Sequence, residues 1–374
     1  MNALTALKRN VRWAFAPLLL PLSIVPIVAL APALAESHAS FKRLWLNRGT
    51  VATPAAVLTP SQRAAFVAPP TFRGAVPVLT YHGINPRIDS QYTITPKQFE
   101  AQMAMLRHAG FHTISAEQYA RFPGGSAKDL PSRPILITFD DGQLDSYRYA
   151  DPILRRHGFR ATMFVITDPV DRGNPFYLRW DEFRGMRDSG RWDLQLHAGA
   201  MHKMVAIGHG KQGAAYANRM WLGDRMESFA EYRRRVTADL ETGMRRLRAE
   251  LGPVRADLFA YPFSADGSWQ TNDPRIPAFL DQALHARFSQ VFLDGHPKHP
   301  PRTAQRNLTR YEVTSVTTAE ALYGWLALDP RTPAQAKAQA AAHVARRAAA
   351  TRRRGVKHHR RAASHRRNAE KHRR

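Results

Sequence analysis

Cysteine is absent from this 374-residue chain, which excludes a disulfide framework, a thiolate metal site and a cysteine nucleophile. Acidic residues are scarce as well, with 30 Asp and Glu against 55 Lys and Arg and a formal net charge of +25. The imbalance is local. Residues 331–374 hold 15 Lys/Arg and a single acid, Glu370, while residues 1–35 hold Lys8, Arg9 and Arg12 and no acid. Taking +14 and +3 from the total leaves +8 over the 295 residues between them. The charge therefore describes a basic tail, residues 330–374, rather than a nucleic-acid-binding body, and no recognisable nucleic-acid fold accompanies it. A solvated tail that meets an anionic envelope or membrane surface is the expectation, with no specific nucleic acid as partner.

Long apolar runs are also few. Trp13 to Ala35 is uncharged over 23 residues, follows three basic residues, and ends in Ala33-Leu34-Ala35 before Glu36. A basic start, an apolar middle and a small-x-small end describe an export signal. The length also suffices to span a bilayer, although Pro17, Pro21, Pro26 and Pro32 make a poor helix. Residues 1–35 are thus a signal peptide or a retained inner-membrane anchor, and the body is expected in the periplasm or outside the cell. Residues 36–74, rich in Ala, Pro and Thr without a clear period, read as a linker.

From 75 to 329 the pattern alternates strand and helix. "AVPVLTY" (75–81), "PILITF" (134–139), "ATMFVIT" (161–167), "WDLQL" (192–196), "DLFAYPF" (257–263), "SQVFLD" (289–294) and "RYEVTS" (310–315) are strand candidates. Thr95 with Pro96 starts a helix that runs to Gly110, and Ser115 with Gln118 forms a capping box for a shorter one. Further helices are predicted before His157, over 180–190, and from Ser228 to Leu251, where Gly252-Pro253 stops the chain. Residues 203–225 have no period and read as an insertion. Repeated βα units predict an α/β fold, a parallel sheet or a (β/α) barrel, whose chemistry belongs at the carboxyl ends of the strands.

That rule selects residues. Asp140 and Asp141 end one strand, side by side, and two adjacent carboxylates need a positive partner to stay ionised. His82, in Tyr81-His82-Gly83, ends another. His197 ends "WDLQL" and His202 follows in "HAGAMH", a spacing that converges only through an irregular loop. Two His and one Asp form a three-ligand set for a catalytic divalent metal with a position left open. The bland alternatives are unrelated polar loop histidines and, for His82, a core-packed imidazole at a strand end. Trp180 and Trp192 read as partly buried packing. Tyr261 and Trp269 lie close in sequence to the proposed site and are candidate substrate contacts.

"TFDDG", the His pair, "YPF" and the early "YHG" resemble the NodB-type polysaccharide deacetylases, carbohydrate esterase family 4, over about residues 75–315. "TYHGI" and the His spacing are most similar to the subgroup that de-N-acetylates poly-β-1,6-N-acetylglucosamine. The resemblance implies a distorted (β/α) barrel and a divalent metal, zinc first with cobalt, nickel or manganese as alternatives, held by Asp141, His197 and His202. It further implies Asp140 as general base, the Phe263 N–H as oxyanion donor, and His82 as the acid for the departing glucosamine nitrogen. The substrate would be an N-acetylated polysaccharide. Two positions depart from the family pattern. Ala260 stands where an arginine usually orients the catalytic aspartate, and Ala198 stands where Ser or Thr usually follows the first His. Residues 331–374 are too short for the glycosidase-like second domain that many relatives carry. The rival readings are a glycan-binding pseudoenzyme, a deacetylase of peptidoglycan or chitin-like glycans, a glycosidase built on Asp140 and another carboxylate, and a nucleic-acid binder argued from charge alone.

Overall fold

Pro134 to Phe139 is buried at every position, as a strand must be when both of its faces are covered. In the computed structural model of the protein it is the fifth of twelve strands among the described residues. The structure describes residues 53, 55–68, 76–121, 130–208, 210–253, 258–295 and 308–327. The expected leader or anchor and the basic tail lie outside these residues. Among the described residues no helix is long and apolar enough to cross a membrane.

The strands are β1 (Val78–Tyr81), β2 (Gly83–Ile84), β3 (Thr93–Ile94), β4 (His112–Thr113), β5 (Pro134–Phe139), β6 (Ala161–Ile166), β7 (Trp192–Ala198), β8 (Met204–Ala206), β9 (Gln212–Ala214), β10 (Leu258–Ala260), β11 (Gln290–Gly295) and β12 (Leu308–Glu312). Their order is β1-β12-β11-β10-β7-β6-β5, and β5 pairs back to β1. Seven parallel strands thus close into a barrel, and β4 adds to the start of β5. Closure is set by the register Leu79↔Tyr311 on one side of β1 and Leu79↔Ile137 on the other.

Successive side chains of a strand face opposite ways, and this alternation divides the core in two. Val78, Leu136, Phe164, Leu258 and Phe292 fill the barrel's interior. Leu79, Ile135, Ile137, Val165, Leu196 and Val291 face the surrounding helices. The same inward rows continue upward as Thr80 and His82, Thr138 and Asp140, Gln195 and His197, Asp294, then Arg310 and Glu312. Alternation carries those polar side chains to one end of the barrel.

The helices are α1 (Pro60–Ala65), α2 (Pro96–His108), α3 (Ala116–Arg121), α4 (Leu144–His157), α5 (Thr167–Asp171), α6 (Trp180–Asp188), α7 (Phe229–Leu251), α8 (Ile276–His285) and α9 (Ala319–Ala327). The expected capping box forms at Ser115 and Gln118, and Thr95, expected to start α2, forms one with Gln98. Helix α7 opens with Ser228 and Glu231 bonded reciprocally and buries Tyr232, Val236, Leu240, Gly243, Leu247 and Leu251, a single stripe at helical spacing. A Cβ on Gly243 would lie 2.8 Å from Leu196 Cδ1 and 3.2 Å from the Gly199 nitrogen. Glycine there lets α7 lie directly against the loop that follows β7.

Two readings need correction. The aperiodic stretch 203–225 contains an antiparallel pair, β8 with β9, whose three-residue strands are too short to show a period. Helices α8 and α9 were not anticipated. The supposed linker is structured in part. Helix α1 carries its own capping box, Leu58 and Phe66 are buried, the Phe66 ring lies 5.3 Å from that of Tyr323, and the Tyr323 hydroxyl donates to the Val67 carbonyl at 2.8 Å. Phe66→Ala is expected to destabilise the barrel by about 3–5 kcal/mol, the usual consequence of truncating a buried Phe. Thermal or urea unfolding of the variant checks it, and an unchanged midpoint would mean that this segment does not dock.

Candidate active site

Asp140 follows β5 and is 1% exposed. Its partner is Arg310, from β12 across the seam of the barrel, which donates Nη1 to Oδ1 at 2.7 Å and Nη2 to Oδ2 at 2.6 Å. This bidentate fork fixes the plane of the carboxylate. Arg310 also donates to Thr138 Oγ1 at 3.3 Å, pairs with Asp294 Oδ1 at 2.7 Å, and lies over the rings of Phe164 and Phe292. Burial by itself would push the Asp140 carboxyl up, but Arg310, with His197 and His82, outweighs it and holds the group well below the usual carboxylate range. The arginine absent at Ala260 is thus supplied fifty positions later, from a strand whose inward charge already called for a partner.

Asp141 turns the chain at φ +73°, followed by Gly142 at +83°. Its Oδ2 accepts from Gln143 Nε2 at 2.9 Å. Its Oδ1 is buried and accepts no hydrogen bond among the described residues, yet lies 3.6 Å from His197 Nε2 and 3.3 Å from His202 Nε2. His197 Nδ1 meets the Ala260 carbonyl oxygen at 2.8 Å. A carbonyl only accepts, so Nδ1 carries a proton there, and Nε2 is the ring nitrogen that faces Asp141. Burial, partly opposed by Asp141, pulls His202 down to about 4, which leaves its imidazole neutral at neutral pH.

The local fold explains why two histidines five apart converge. β7 runs through Ala198, so His197 lies within the strand. Opposite it, Val165 pairs with Leu196 and Ile166 with Ala198, which makes His197 the extra residue of a bulge, a device that re-aims a side chain. Beyond it the loop is tied to α7. Asp239 accepts from the Gly199 nitrogen at 3.0 Å, the Ala200 nitrogen at 2.6 Å and the Tyr216 hydroxyl at 2.7 Å. That carboxylate anchors the loop to α7.

Two groups of the described residues bring three ligand atoms within 4.8 Å of one another, Asp141 with His197 and His202, and His82 with Asp140 and Asp294. The second already holds the Arg310 guanidinium between its carboxylates. The first has an orphaned carboxylate oxygen and two imidazole nitrogens, a donor set that fits a divalent metal. One guanidinium among Asp140, Asp141 and Asp294 also leaves the pocket short of positive charge, as a cation would correct.

His82 lies at the end of β1, with Nε2 4.0 Å from Asp140 Oδ2. Its ring is 5.2 Å from that of Tyr92. Phe263 sits in the Pro262–Ser264 turn with its ring 4.3 Å from that of His202. Asp140, Asp141, His82, His197, His202 and Phe263 are therefore brought together. Tyr261 is not available to a ligand. It faces outward from the barrel wall, is 1% exposed, and packs against Phe259, because it falls on the opposite parity to Ala260. Trp269 is 66% exposed on the following loop. Trp180 and Trp192 pack inside, with their indole N–H groups bonded to Asp171 and Asp151.

Residues 127–273, which run from before β5 to beyond β10 and include Asp140, Asp141, His197 and His202, match the family described as polysaccharide deacetylase. The chain is 24% identical over 262 residues to the poly-beta-1,6-N-acetyl-D-glucosamine N-deacetylase of Escherichia coli (strain K12), covering 65% of this chain and 36% of that protein. It is 31% identical over 118 residues to the enzyme of the same name from Staphylococcus aureus (strain MRSA252), covering 30% of this chain and 39% of that one. It thus spans under two fifths of the length of these curated relatives. Among solved structures, a de-N-acetylase from Aggregatibacter actinomycetemcomitans shares the fold at a TM-score of 0.56 and 19% identity, over 67% of this chain and 99% of that one.

Glu312 was missed by sequence reading, as were Arg310 and Asp294. Burial, with Asp294 beside it, raises the Glu312 carboxyl from its ordinary 4.5 to about 7, partly opposed by His82. A carboxyl that holds its proton more tightly when folded stabilises the protein at low pH and loses that contribution as pH rises from 4.5 through about 7. Glu312→Gln should therefore flatten the decline of the thermal midpoint across that window, measured in chelator-treated protein. Parallel pH curves for the two proteins would contradict the assignment.

Proposed function

We propose that this domain hydrolyses N-acetyl groups from an N-acetylglucosamine polysaccharide and releases acetate, with Asp141, His197 and His202 holding a divalent metal, zinc by preference. The observation that carries this reading is the division of labour between adjacent aspartates. Asp141 turns an unpaired oxygen to two imidazole nitrogens, while Asp140, one residue earlier, is locked to an arginine and kept ionised. Poly-β-1,6-N-acetylglucosamine is the preferred substrate, supported by the likeness to proteins of that name. The leader-like N-terminus supports export to the periplasm or beyond, and the basic tail suits retention on anionic surfaces.

When bound, the metal polarises the acetamide carbonyl and makes water a better nucleophile. Asp140 takes the proton from the attacking water, since it is ionised and its plane is fixed. The Phe263 N–H donates to the carbonyl oxygen as negative charge collects there. His82 donates a proton to the nitrogen as the C–N bond breaks, because an unprotonated amide anion leaves poorly. Trp269, exposed beyond the turn, is the remaining candidate for contact with a sugar ring. Tyr261 acts only as packing. Against the pseudoenzyme reading, which rests on Ala260 and Ala198, Arg310 orients Asp140 in place of the arginine missing at Ala260. Against the glycosidase reading, Asp294 shares the arginine of Asp140 and so does not stand across a sugar from it.

The test is acetate release from a panel of N-acetylglucosamine oligomers, with and without chelator, for wild type and His82→Ala. Wild type should be chelator-sensitive and restored by zinc. His82→Ala should lose about 10²–10⁴ of its amide turnover and far less on an activated ester, whose leaving group needs no proton. Equal losses on both substrates would remove His82 from the acid role. Chelator-insensitive turnover would remove the metal.

A further inference from the structure

The Pro262–Ser264 turn holds two consecutive residues, neither of them glycine, in the left-handed region, Phe263 at φ +57° and Ser264 at φ +52°. L-residues adopt this conformation at an energetic penalty and keep it only when surrounding contacts over-determine it. Local bonds contribute, with the Ser264 nitrogen donating to the Tyr261 carbonyl and the Ala265 nitrogen to that of Pro262, both at 3.1 Å. The tertiary contribution comes from β11. Ser264 Oγ donates to Asp294 Oδ2 at 2.8 Å and accepts from the Asp294 backbone nitrogen at 2.7 Å. One hydroxyl thereby satisfies a carboxylate oxygen and a main-chain donor together. The other oxygen of the same carboxylate pairs with Arg310 at 2.7 Å, whose fork holds Asp140.

We propose that Ser264 is a positioning residue: its hydroxyl, braced through Asp294 against Arg310, holds the turn that sets the Phe263 ring over His202 and aims the Phe263 N–H into the pocket. Base and turn then share one continuous brace, Asp140–Arg310–Asp294–Ser264. A displacement of the turn is resisted by the same guanidinium that fixes the base. The catalytic consequence rests on the deacetylase reading above, whereas the brace itself does not.

Ser264→Gly tests it, because glycine tolerates a positive φ and removes only the hydroxyl and its carbon; Ser264→Ala, which keeps the carbon, is the companion variant. The first readout needs no turnover. In zinc-loaded protein the ring-proton NMR signals of His202, shifted by the Phe263 ring, should move in both variants while those of the distant surface residue His112 stay in place. Unchanged His202 signals would overturn the brace. The second readout is kinetic. With metal content unchanged, kcat for acetate release should fall about 10–100-fold, less than the loss of a whole oxyanion donor, on amide and activated ester alike, with KM moving by less than about threefold. A loss confined to KM, or one that spares the ester, would overturn the positioning role. Displaced His202 signals with full kcat would uphold the brace and instead overturn the assignment of the Phe263 N–H as oxyanion donor.

Discussion

The ion pair between Asp140 and Arg310 joins residues 170 positions apart, and both partners are buried. Such a pair is an obligation. Either member alone would be an uncompensated charge in the barrel interior, and breaking buried pairs typically costs about 3–5 kcal/mol. It forms only if β12 reaches β1 and the barrel closes, since β5 and β12 meet through β1 alone. Closure of the fold thus brings in the guanidinium that keeps the base ionised once it is buried. Asp294 and the 262–264 turn attach to that guanidinium from one side, and Thr138 and Asp140 from the other.

Next to this self-neutralising unit lies one that is incomplete. Asp141, His197 and His202 offer a carboxylate oxygen and two imidazole nitrogens with no guanidinium or ammonium among them in the described residues, and each is aimed by a different device. Asp141 is aimed by a left-handed turn, His197 by a bulge and the Ala260 carbonyl, and His202 by a loop that Asp239 holds against α7. The charge deficit falls on Asp141 and not on Asp140, which separates two chemically identical side chains into ligand and base.

The sequence made the local parts legible. "PILITF" before two aspartates, Ser228 with Glu231, and the strand-end positions of His82 and His197 are all short-range signals, and the barrel follows from their alternation. The family pattern places the arginine at position 260, although an arginine at an inward position of the candidate strand "RYEVTS" already implies a buried partner. Inward parity would have found Arg310, Asp294 and Glu312 together, and outward parity would have excluded Tyr261. The bulge at His197 left no trace, because its cause is a register shift against β6. The short strands β8 and β9 and the helix α1 take their stability from tertiary contacts that no window of sequence contains.

The central claim is that adjacent aspartates divide into a metal ligand and an arginine-held base. Asp140→Asn tests it most directly, because the amide keeps the shape and can still accept from Arg310 but cannot take a proton at neutral pH. Metal stoichiometry and acetate turnover measured on the same preparation should separate, with zinc content at the wild-type level and turnover reduced by about two to four orders of magnitude. Loss of the metal together with turnover would make Asp140 a ligand, and near-normal turnover would mean that the proton goes elsewhere; either result would contradict the division.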